Sequence, residues 1–291
     1  MEIDGDGILD ILSGSYSRQS EDMAGLFQVL RGQKGGTWRA PVVLNGTNGE
    51  PLILPKPAGD DAGDTVTDRI CTRPTAVDLD GDGKLDIVAG NFSGTFGWFR
   101  GEGGGKFAPA ATWLEADGAP LQVDAHGDPF FVDFDRDGDL DLFSGSAQGG
   151  VFLFPNVGSK TQPKWGAKIT LVEAAGHQHA DAEAHFGDAH LTAPASDTRV
   201  WLDDVDGDGK LDLLVGDSVT LLHLAKDVDE ATGKAKYAAW QKKQQELFKT
   251  PQGDDEASMK KWQESYEALE QERDTFAKEV RTGHVWLFRG K

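Results

Sequence analysis

The sequence predicts an all-β fold: a β-propeller of four-stranded antiparallel blades, with an αα-hairpin inserted in the last blade. Three observations support this prediction. An acidic loop occurs four times, strand-like segments flank each copy in the same order, and one stretch near the C-terminus has the composition of helices. Repeats of this length exceed those of helical solenoids and are typical of a repeated sheet. A β-sandwich with coincidentally similar loops is the alternative interpretation.

The repeat begins with alternating acids and ends in an apolar run followed by glycine. In "DLDGDGKLD" the acids occupy loop positions 1, 3, 5 and 9, and glycine occupies position 6. The four copies predict four visible blades, of which the first lacks the strand before its loop. The copies are "EIDGDGILDILSG" (2–14), "DLDGDGKLDIVAG" (78–90), "DFDRDGDLDLFSG" (133–145) and "DVDGDGKLDLLVG" (204–216).

Strand-like segments surround the loops. An apolar run stands before each complete copy, another follows a short Gly/Ser link, and three units end in a weaker run that contains tryptophan. Each unit therefore has the strand order of a propeller blade. The runs before the loops lie in 74–80, 129–135 and 199–206, those after the link in 25–33, 94–102, 149–157 and 283–291, and the outer runs in 36–44, 106–114 and 163–172.

The fourth unit is interrupted at about 228–281. Residues 234–248 and 256–281 are rich in Ala, Gln, Glu and Lys, which favour helices. We therefore predict one propeller domain, residues 1–291, with an αα-hairpin inserted in its last blade. The second helical segment carries an apolar stripe at helical spacing, which either packs within the protein or docks a partner. The stripe consists of Trp262, Tyr266, Leu269 and Phe276.

The acid spacing indicates a cation site in each loop. Alternate acids in a tight loop direct their carboxylates towards one centre, and such oxygen ligands suit Ca²⁺ better than Mg²⁺, which demands a strict octahedron. Zinc would require His or Cys. A backbone carbonyl at position 7 and the acid at position 9 are expected to complete each site. The predicted ligands are Glu2, Asp4, Asp6, Ile8 and Asp10; Asp78, Asp80, Asp82, Lys84 and Asp86; Asp133, Asp135, Asp137, Asp139 and Asp141; and Asp204, Asp206, Asp208, Lys210 and Asp212, of which Ile8, Lys84, Asp139 and Lys210 contribute backbone carbonyls.

The loops are not EF-hands, because position 12 holds Ser13, Ala89, Ser144 or Val215 instead of a bidentate acid. "DxDGDGxxD" followed by "(I/L)(V/L)xG" instead resembles the FG-GAP/VCBS-type repeats of bacterial propellers, which are related to the integrin α-chain propeller. Phe-Gly occurs only at 96–97 and 186–187 and Gly-Ala-Pro only at 118–120, so neither signature recurs with the loops and the resemblance is nearer to the VCBS branch. It implies a calcium-stabilised, extracellular or periplasmic propeller without catalytic residues of its own. The first site, with Glu2 in place of Asp, is expected to be weak or incomplete.

The charge and the apolar content of the chain exclude some classes of binding partner. The formal charge of −20 argues against nucleic acid and anionic membrane surfaces. No apolar run is long enough to span a bilayer, so membrane insertion is not expected. No signal peptide is present in these residues, and the start in mid-motif suggests a C-terminal portion of a longer protein. The expected partners are an extracellular protein, a polysaccharide, or upstream domains of the same protein.

An enzyme is the competing interpretation, either a propeller-type polysaccharide lyase or hydrolase, or an accessory domain of an enzyme that lies upstream. No catalytic constellation is identified. Residues 176–190 contain four histidines among acidic residues. Imidazole with carboxylate suits a transition metal, but a polar loop without a fixed framework explains the same composition. Four tryptophans in predicted strands are expected to pack in the core rather than to stack on sugars: Trp98, Trp165, Trp201 and Trp286. The candidate metal loop, 176–190, holds His177, His179, His185 and His190.

Overall fold

A computed structural model of the chain describes residues 1–18, 22–55, 66–175, 184–250 and 255–291. The protein consists mainly of antiparallel β-sheets and contains two α-helices. It divides into two compact units, of which the first comprises 1–175, 194–217 and 285–291, and the second 176–193 and 218–284. Among the described residues, no helix is long and apolar enough to cross a membrane.

Three of the main sheets have four strands and the first has three. The first sheet has the order β1-β2-β5, and the second has the order β11-β8-β7-β6. Short two-stranded ribbons, β3-β4, β9-β10 and β12-β13, accompany them. The bounds are β1 Ile11–Gly14, β2 Phe27–Leu30, β3 Gly32–Gln33, β4 Thr37–Trp38, β5 Val42–Val43, β6 Arg73–Val77, β7 Asp86–Gly90, β8 Phe96–Phe99, β9 Gly101–Gly103, β10 Lys106–Phe107, β11 Thr112–Trp113, β12 Glu115–Ala116 and β13 Ala119–Pro120, with a 3₁₀ turn at Val66–Asp68.

The third sheet has the order β14-β15-β16-β17, and the fourth is built around one long strand, β19. The first half of β19 pairs with β21, and its second half pairs with β20. The bounds are β14 Asp128–Val132, β15 Asp141–Gly145, β16 Val151–Phe154, β17 Ile169–Val172, β18 Ser196–Asp203, β19 Asp212–Leu224, β20 Ala277–Thr282 and β21 Val285–Phe288.

The central strands of the second and third sheets are buried on both faces. Side chains alternate across a strand, so each face can join a different core. In β7, Ile87 and Ala89 join a cluster with Phe27 of the first sheet, whereas Val88 joins a cluster with Leu142 of the third. In the third sheet, the opposite face of β15 joins residues of the fourth. Each apolar cluster of the first unit is therefore shared by two consecutive sheets.

The glycine that ends the repeat motif lies where consecutive sheets meet. A Cβ on Gly90 would lie 1.9 Å from the carbonyl oxygen of Gly127, just before β14. A Cβ on Gly14 would lie 1.9 Å from the Thr72 carbonyl oxygen, and one on Gly145 would lie 2.1 Å from that of Thr198. Because any side chain would collide with backbone, only glycine permits this approach.

The second unit contains two antiparallel helices, α1 (Glu230–Lys249) and α2 (Glu256–Asp274). Each begins at an aspartate N-cap whose carboxylate accepts a backbone N–H, Asp229 from Thr232 and Asp255 from Ser258. Trp240 is buried against Phe276, and its indole N–H donates to the Leu269 carbonyl at 2.8 Å. Phe248 of α1 also lies beside Trp262 of α2, at a ring-centroid distance of 5.8 Å. Aromatic packing therefore joins the two helices at both places.

The prediction of helix as far as residue 281 is wrong. Helix α2 ends at Asp274, and residues 277–282 form β20, which pairs with 219–224 of β19. The composition of "FAKEVRT" is compatible with a helix, but the long strand β19 offers an unpaired edge that satisfies its backbone groups. Phe276, assigned to the helical stripe, lies in the turn before β20 and is buried there.

Candidate metal centres

The four acidic loops occupy equivalent places. Three of them connect the first and second strands of the second, third and fourth sheets, and one precedes β1. We number them loops 1 to 4 in chain order: residues 2–10, 78–86, 133–141 and 204–212. Loop positions 4 and 6 have positive φ in every copy, a conformation that glycine adopts freely. Arg136, at position 4 of loop 3, is the one non-glycine among these eight residues, with φ 64°.

Short hydrogen bonds fold each loop on itself. The position-5 aspartate accepts the N–H of position 7 in all four loops, for example Lys84 N–H to Asp82 at 2.9 Å. The equivalent bonds are 2.8 Å in loop 1, 3.1 Å in loop 3 and 2.9 Å in loop 4. In loops 2 to 4 the glycine at position 6 donates to the position-1 acid, for example Gly209 to Asp204 at 2.8 Å. These turns bring side chains two residues apart onto the same side of the loop.

The carboxylates consequently converge. In each loop, three acids have one oxygen apiece within 4.8 Å of the others. Loops 1 to 3 bring together positions 1, 3 and 5, whereas loop 4 brings together positions 1, 3 and 9. The groups are Glu2, Asp4 and Asp6; Asp78, Asp80 and Asp82; Asp133, Asp135 and Asp137; and Asp204, Asp206 and Asp212.

Several carboxylate oxygens in these loops are buried and accept no hydrogen bond. They belong to the position-1 acids of loops 1 to 3 and to Asp80 and Asp139. A buried, unpaired carboxylate oxygen is costly, because burial removes its water without supplying a donor. A cation bound among the acids would satisfy these oxygens and neutralise their mutual repulsion. The donor set therefore fits a hard metal ion that takes oxygen ligands.

The position-9 aspartates tie strands together through their own hydrogen bonds. In loop 2, one Asp86 oxygen accepts the Leu79 N–H at 3.1 Å, and the other accepts the Gly101 N–H at 2.6 Å. Asp10, Asp141 and Asp212 accept the same pair of bonds, one from the N–H at loop position 2 and one from an N–H just beyond the paired strand β2, β16 or β21. Both oxygens thus already have protein donors, a role that sequence spacing does not reveal. Their participation in a cation site stays a prediction.

The surroundings of these buried aspartates differ. Burial raises the pKa of Asp86 and of Asp141, opposed by their backbone N–H donors. For Asp10, burial also favours the neutral acid, but the N–H groups of Gly32 and Ile3 and the Arg31 guanidinium together hold its pKa below the usual value. For Asp212 the Gly290 N–H is the largest influence and lowers the pKa, with Arg289 contributing.

The position-7 residues differ in their side chains. Lys84 places its ammonium 2.7 Å from Asp82, and Lys210 lies 3.5 Å from Asp208, whereas Ile8 has no charge. Asp139 is buried, with 5% of its surface exposed, and burial together with Asp137, Asp141 and Asp135 raises its pKa to about 6. Coordination by the backbone carbonyls at this position stays a prediction.

Arginines next to three of the loops were not anticipated from the sequence. We call Arg31, Arg100 and Arg289 the counter-arginines; each directly follows β2, β8 or β21. Arg31 lies 3.0 Å from Asp10 and 3.3 Å from Asp4. Their signal in the sequence is the recurrent Arg-Gly of "VLRGQ", "WFRGE" and "LFRGK".

The other two counter-arginines also contact the position-3 aspartate of their loop. Arg289 lies 2.7 Å from Asp206 and 3.0 Å from Asp212. Arg100 pairs with Asp80. In the third sheet the equivalent residue is Pro155, which follows β16.

The histidine-rich segment is described only in part. His177 and His179 lie outside the described residues. The rings of His185 and His190 stack with centroids 4.8 Å apart, and burial, with His185 nearby, lowers the pKa of His190. Among the described residues, the groups of acids, histidines and cysteines that could hold a metal are the four loops. A transition-metal site in this segment stays a prediction.

The tryptophans of the predicted strands have different environments. Trp98 and Trp165 belong to the core, as expected. Trp201 does not, since 58% of its surface is exposed and it lies beside Phe130 at a ring-centroid distance of 5.1 Å. Its strand, β18, buries the neighbouring Leu202 instead. The expectation of core packing is therefore wrong for Trp201.

Comparison with known families supports the motif. Residues 78–144 match the family model described as an FG-GAP-like repeat. The matched segment runs from the first acid of loop 2 to Ser144, within the β15 strand that follows loop 3. No curated protein matches the chain. The chain thus carries an FG-GAP-like repeat at residues 78–144, and the resemblance inferred from its acidic loops is confirmed.

Proposed function

We propose that this protein is a calcium-stabilised β-propeller module of FG-GAP/VCBS type that works outside the cytoplasm as an interaction or adhesion module. The observation that carries the proposal is the set of converging carboxylates in the four loops, together with the buried, unpaired oxygens in loops 1 to 3. FG-GAP-like repeats are typically found in extracellular modules, and residues 78–144 match that family model. The module has no catalytic step of its own.

The packing of the sheets supports the propeller arrangement. Each apolar cluster of the first unit is shared by consecutive sheets, and the motif glycine of one sheet touches the start of the next sheet. Face-to-face packing of consecutive four-stranded sheets is how propeller blades bury both of their faces. In this arrangement loops 2 to 4 connect equivalent strands and loop 1 precedes the corresponding strand, so one kind of loop serves every blade.

Calcium is the cation proposed, for two reasons. The loops offer carboxylate oxygens without an imidazole or thiolate, which favours a hard ion. Their ligands also lie on irregular backbone, and Ca²⁺ accepts six to eight oxygens in flexible geometry, whereas Mg²⁺ requires an octahedron. The bound ion would neutralise the clustered acids and hold the loop between two strands. Its contribution is therefore to the stability of the sheets.

The proposed partners are an extracellular protein or a polysaccharide, bound by the loops of the module. The high negative charge would discourage nucleic acid and anionic lipid. Millimolar calcium outside the cytoplasm would keep even weak sites filled, which agrees with an extracellular or periplasmic location.

Thermal unfolding tests the proposal. The protein is unfolded in excess EGTA, in millimolar calcium, and in magnesium at the same concentration. An ion at a hundred times its dissociation constant adds about 2.7 kcal/mol per site, which for a chain of this size raises Tm by roughly 5–10 °C. We expect this rise with calcium and a much smaller one with magnesium.

Matched variants separate ion binding from a general salt effect. Asp80→Asn and Asp135→Asn each remove a ligand from one loop, and we expect a smaller response to calcium. Asp124→Asn removes an exposed acid outside the loops and should respond as the unmodified protein does. An equal Tm in EGTA and calcium would contradict the proposal.

A further inference from the structure

The counter-arginines lie where they would oppose a cation in their own loop. From this geometry we infer that they act as internal competitors of calcium, so that loops 1, 2 and 4 bind calcium more weakly than loop 3. The inference rests on the proposed calcium binding and adds to it a ranking of the four loops and the residues that set it. Loop 3 is the high-affinity site in this ranking.

The contacts show a competition for the same atoms. One guanidinium nitrogen of Arg289 bonds Oδ2 of both Asp206 and Asp212, which belong to the converging group of loop 4. Arg31 Nη1 likewise bonds Oδ2 of Asp10 and lies 3.3 Å from that of Asp4. A cation that binds these oxygens must either displace the guanidinium or share the oxygens with it. It also meets the repulsion of a nearby positive charge.

Among the residues that the structure describes, loop 3 has no such competitor. Pro155 occupies the place of the arginine, and the loop-3 acids make no salt bridge with any lysine or arginine of the described residues. This loop also has an additional acid, Asp139, which is buried and has an oxygen without a hydrogen-bond partner. Arg136, within loop 3, donates to the Gly209 carbonyl and forms no ion pair with the loop-3 acids. Loop 3 thus has five acids, three of them converging, and no ion pair within the described part of the chain to offset their repulsion, so it has the most to gain from a divalent cation.

Arg100 also contacts the Trp98 ring, and this contact can persist when calcium displaces the guanidinium from Asp80. Its guanidinium carbon lies 3.9 Å from the centroid of the Trp98 ring, within the range of a cation–π contact. When calcium takes Asp80, the guanidinium can stay stacked on this ring. Loop 2 therefore offers a direct exchange between an internal and an external cation.

The test measures calcium binding by single loops in the full chain. Asp4→Asn, Asp135→Asn and Asp206→Asn together leave loop 2 intact, and calorimetric titration with CaCl₂ then reports its affinity. Because a partly exposed ion pair contributes up to about 1 kcal/mol, adding Arg100→Gln should tighten calcium binding about fivefold. Arg100→Lys, which keeps the charge, should shift the affinity much less.

The reverse change in loop 3 is the matched control. Asp4→Asn, Asp80→Asn and Asp206→Asn leave loop 3 intact, and Pro155→Arg should weaken its calcium binding about fivefold. Loop 3 should also bind more tightly than loop 2 before either change. If Arg100→Gln does not fold, as judged by circular dichroism, the Pro155→Arg comparison decides.

The outcomes separate the two proposals. Calcium binding that is unchanged or weakened by Arg100→Gln, or strengthened by Pro155→Arg, would overturn the competition and show that the arginine positions the ligands. Folded single-loop proteins that bind no calcium at all would instead overturn the proposed function.

Discussion

The second and third sheets differ from the fourth in how their faces are covered. Strands β7 and β15 are buried along their whole length, and each supplies side chains to two apolar clusters. In the fourth sheet one face joins a cluster, whereas Trp201 and Val285 are 58% and 73% exposed. The same motif, acidic loop followed by strand and glycine, therefore stands in two environments. The repeat specifies the strand and its loop, and neighbouring sheets determine what each residue contributes to stability.

Trp98 and Trp201 provide the strongest comparison, because the residue type is the same. Trp98→Ala should lower the free energy of unfolding by about 3–5 kcal/mol, since it removes a buried ring from the core between two sheets. Trp201→Ala should cost less than about 1 kcal/mol because its ring is largely exposed. Urea unfolding measures both. Equal costs would show that the two sheets are covered alike.

The motif glycines make a second comparison. Gly90→Ala would bring a methyl group to 1.9 Å from a backbone oxygen, and we expect a loss of about 3 kcal/mol through overpacking. Gly216, at the same motif position in the fourth sheet, has no heavy atom within 4 Å of a built Cβ. Gly216→Ala should therefore change the unfolding free energy by less than about 0.5 kcal/mol. A similar loss in both variants would contradict the proposed contact between sheets.

Two acids of loop 3, Asp141 and Asp135, should differ in whether their contribution to stability depends on calcium. Asp141→Asn keeps one acceptor but loses the second, so one of the N–H groups of Phe134 and Asn156 loses its partner. The cost should be about 1–3 kcal/mol, and it should persist in EGTA. Asp135→Asn should instead cost little in EGTA and reduce the stabilisation by calcium. Urea unfolding under both conditions makes the comparison, and a calcium-dependent cost for Asp141→Asn would identify it as a ligand.

The smallest expected effect concerns backbone conformation in the loops. Arg136 holds a left-handed conformation at a position where the other loops have glycine. Arg136→Gly should stabilise the protein by up to about 1 kcal/mol, offset in part by the lost hydrogen bond to the Gly209 carbonyl. Gly207→Arg makes the opposite change in loop 4 and should destabilise by a similar amount. Thermal unfolding in EGTA measures both without a contribution from calcium.

Much of the molecule could be predicted from the sequence because the information is local. The alternating acids with glycines at fixed positions specify the loop, and the apolar runs beside them specify strands such as β7 and β15. Aspartate before an Ala- and Lys-rich segment likewise predicts the start of α2. These features depend on hydrogen bonds and backbone conformations within a few residues.

Only the tertiary structure decided which residues form hydrogen bonds, ion pairs and strand pairs with one another, because these residues are distant in the chain. Asp86 accepts a hydrogen bond from an N–H fifteen residues away. Arg289 follows both helices in the sequence, yet it pairs with acids of loop 4, which precedes them. Residues 277–282 became a strand because β19 supplied an edge to pair with. The sequence by itself thus determined the repeated loop and its acids, whereas contacts between sheets decided which acid ties strands together, which glycine is indispensable and which loop has a counterion.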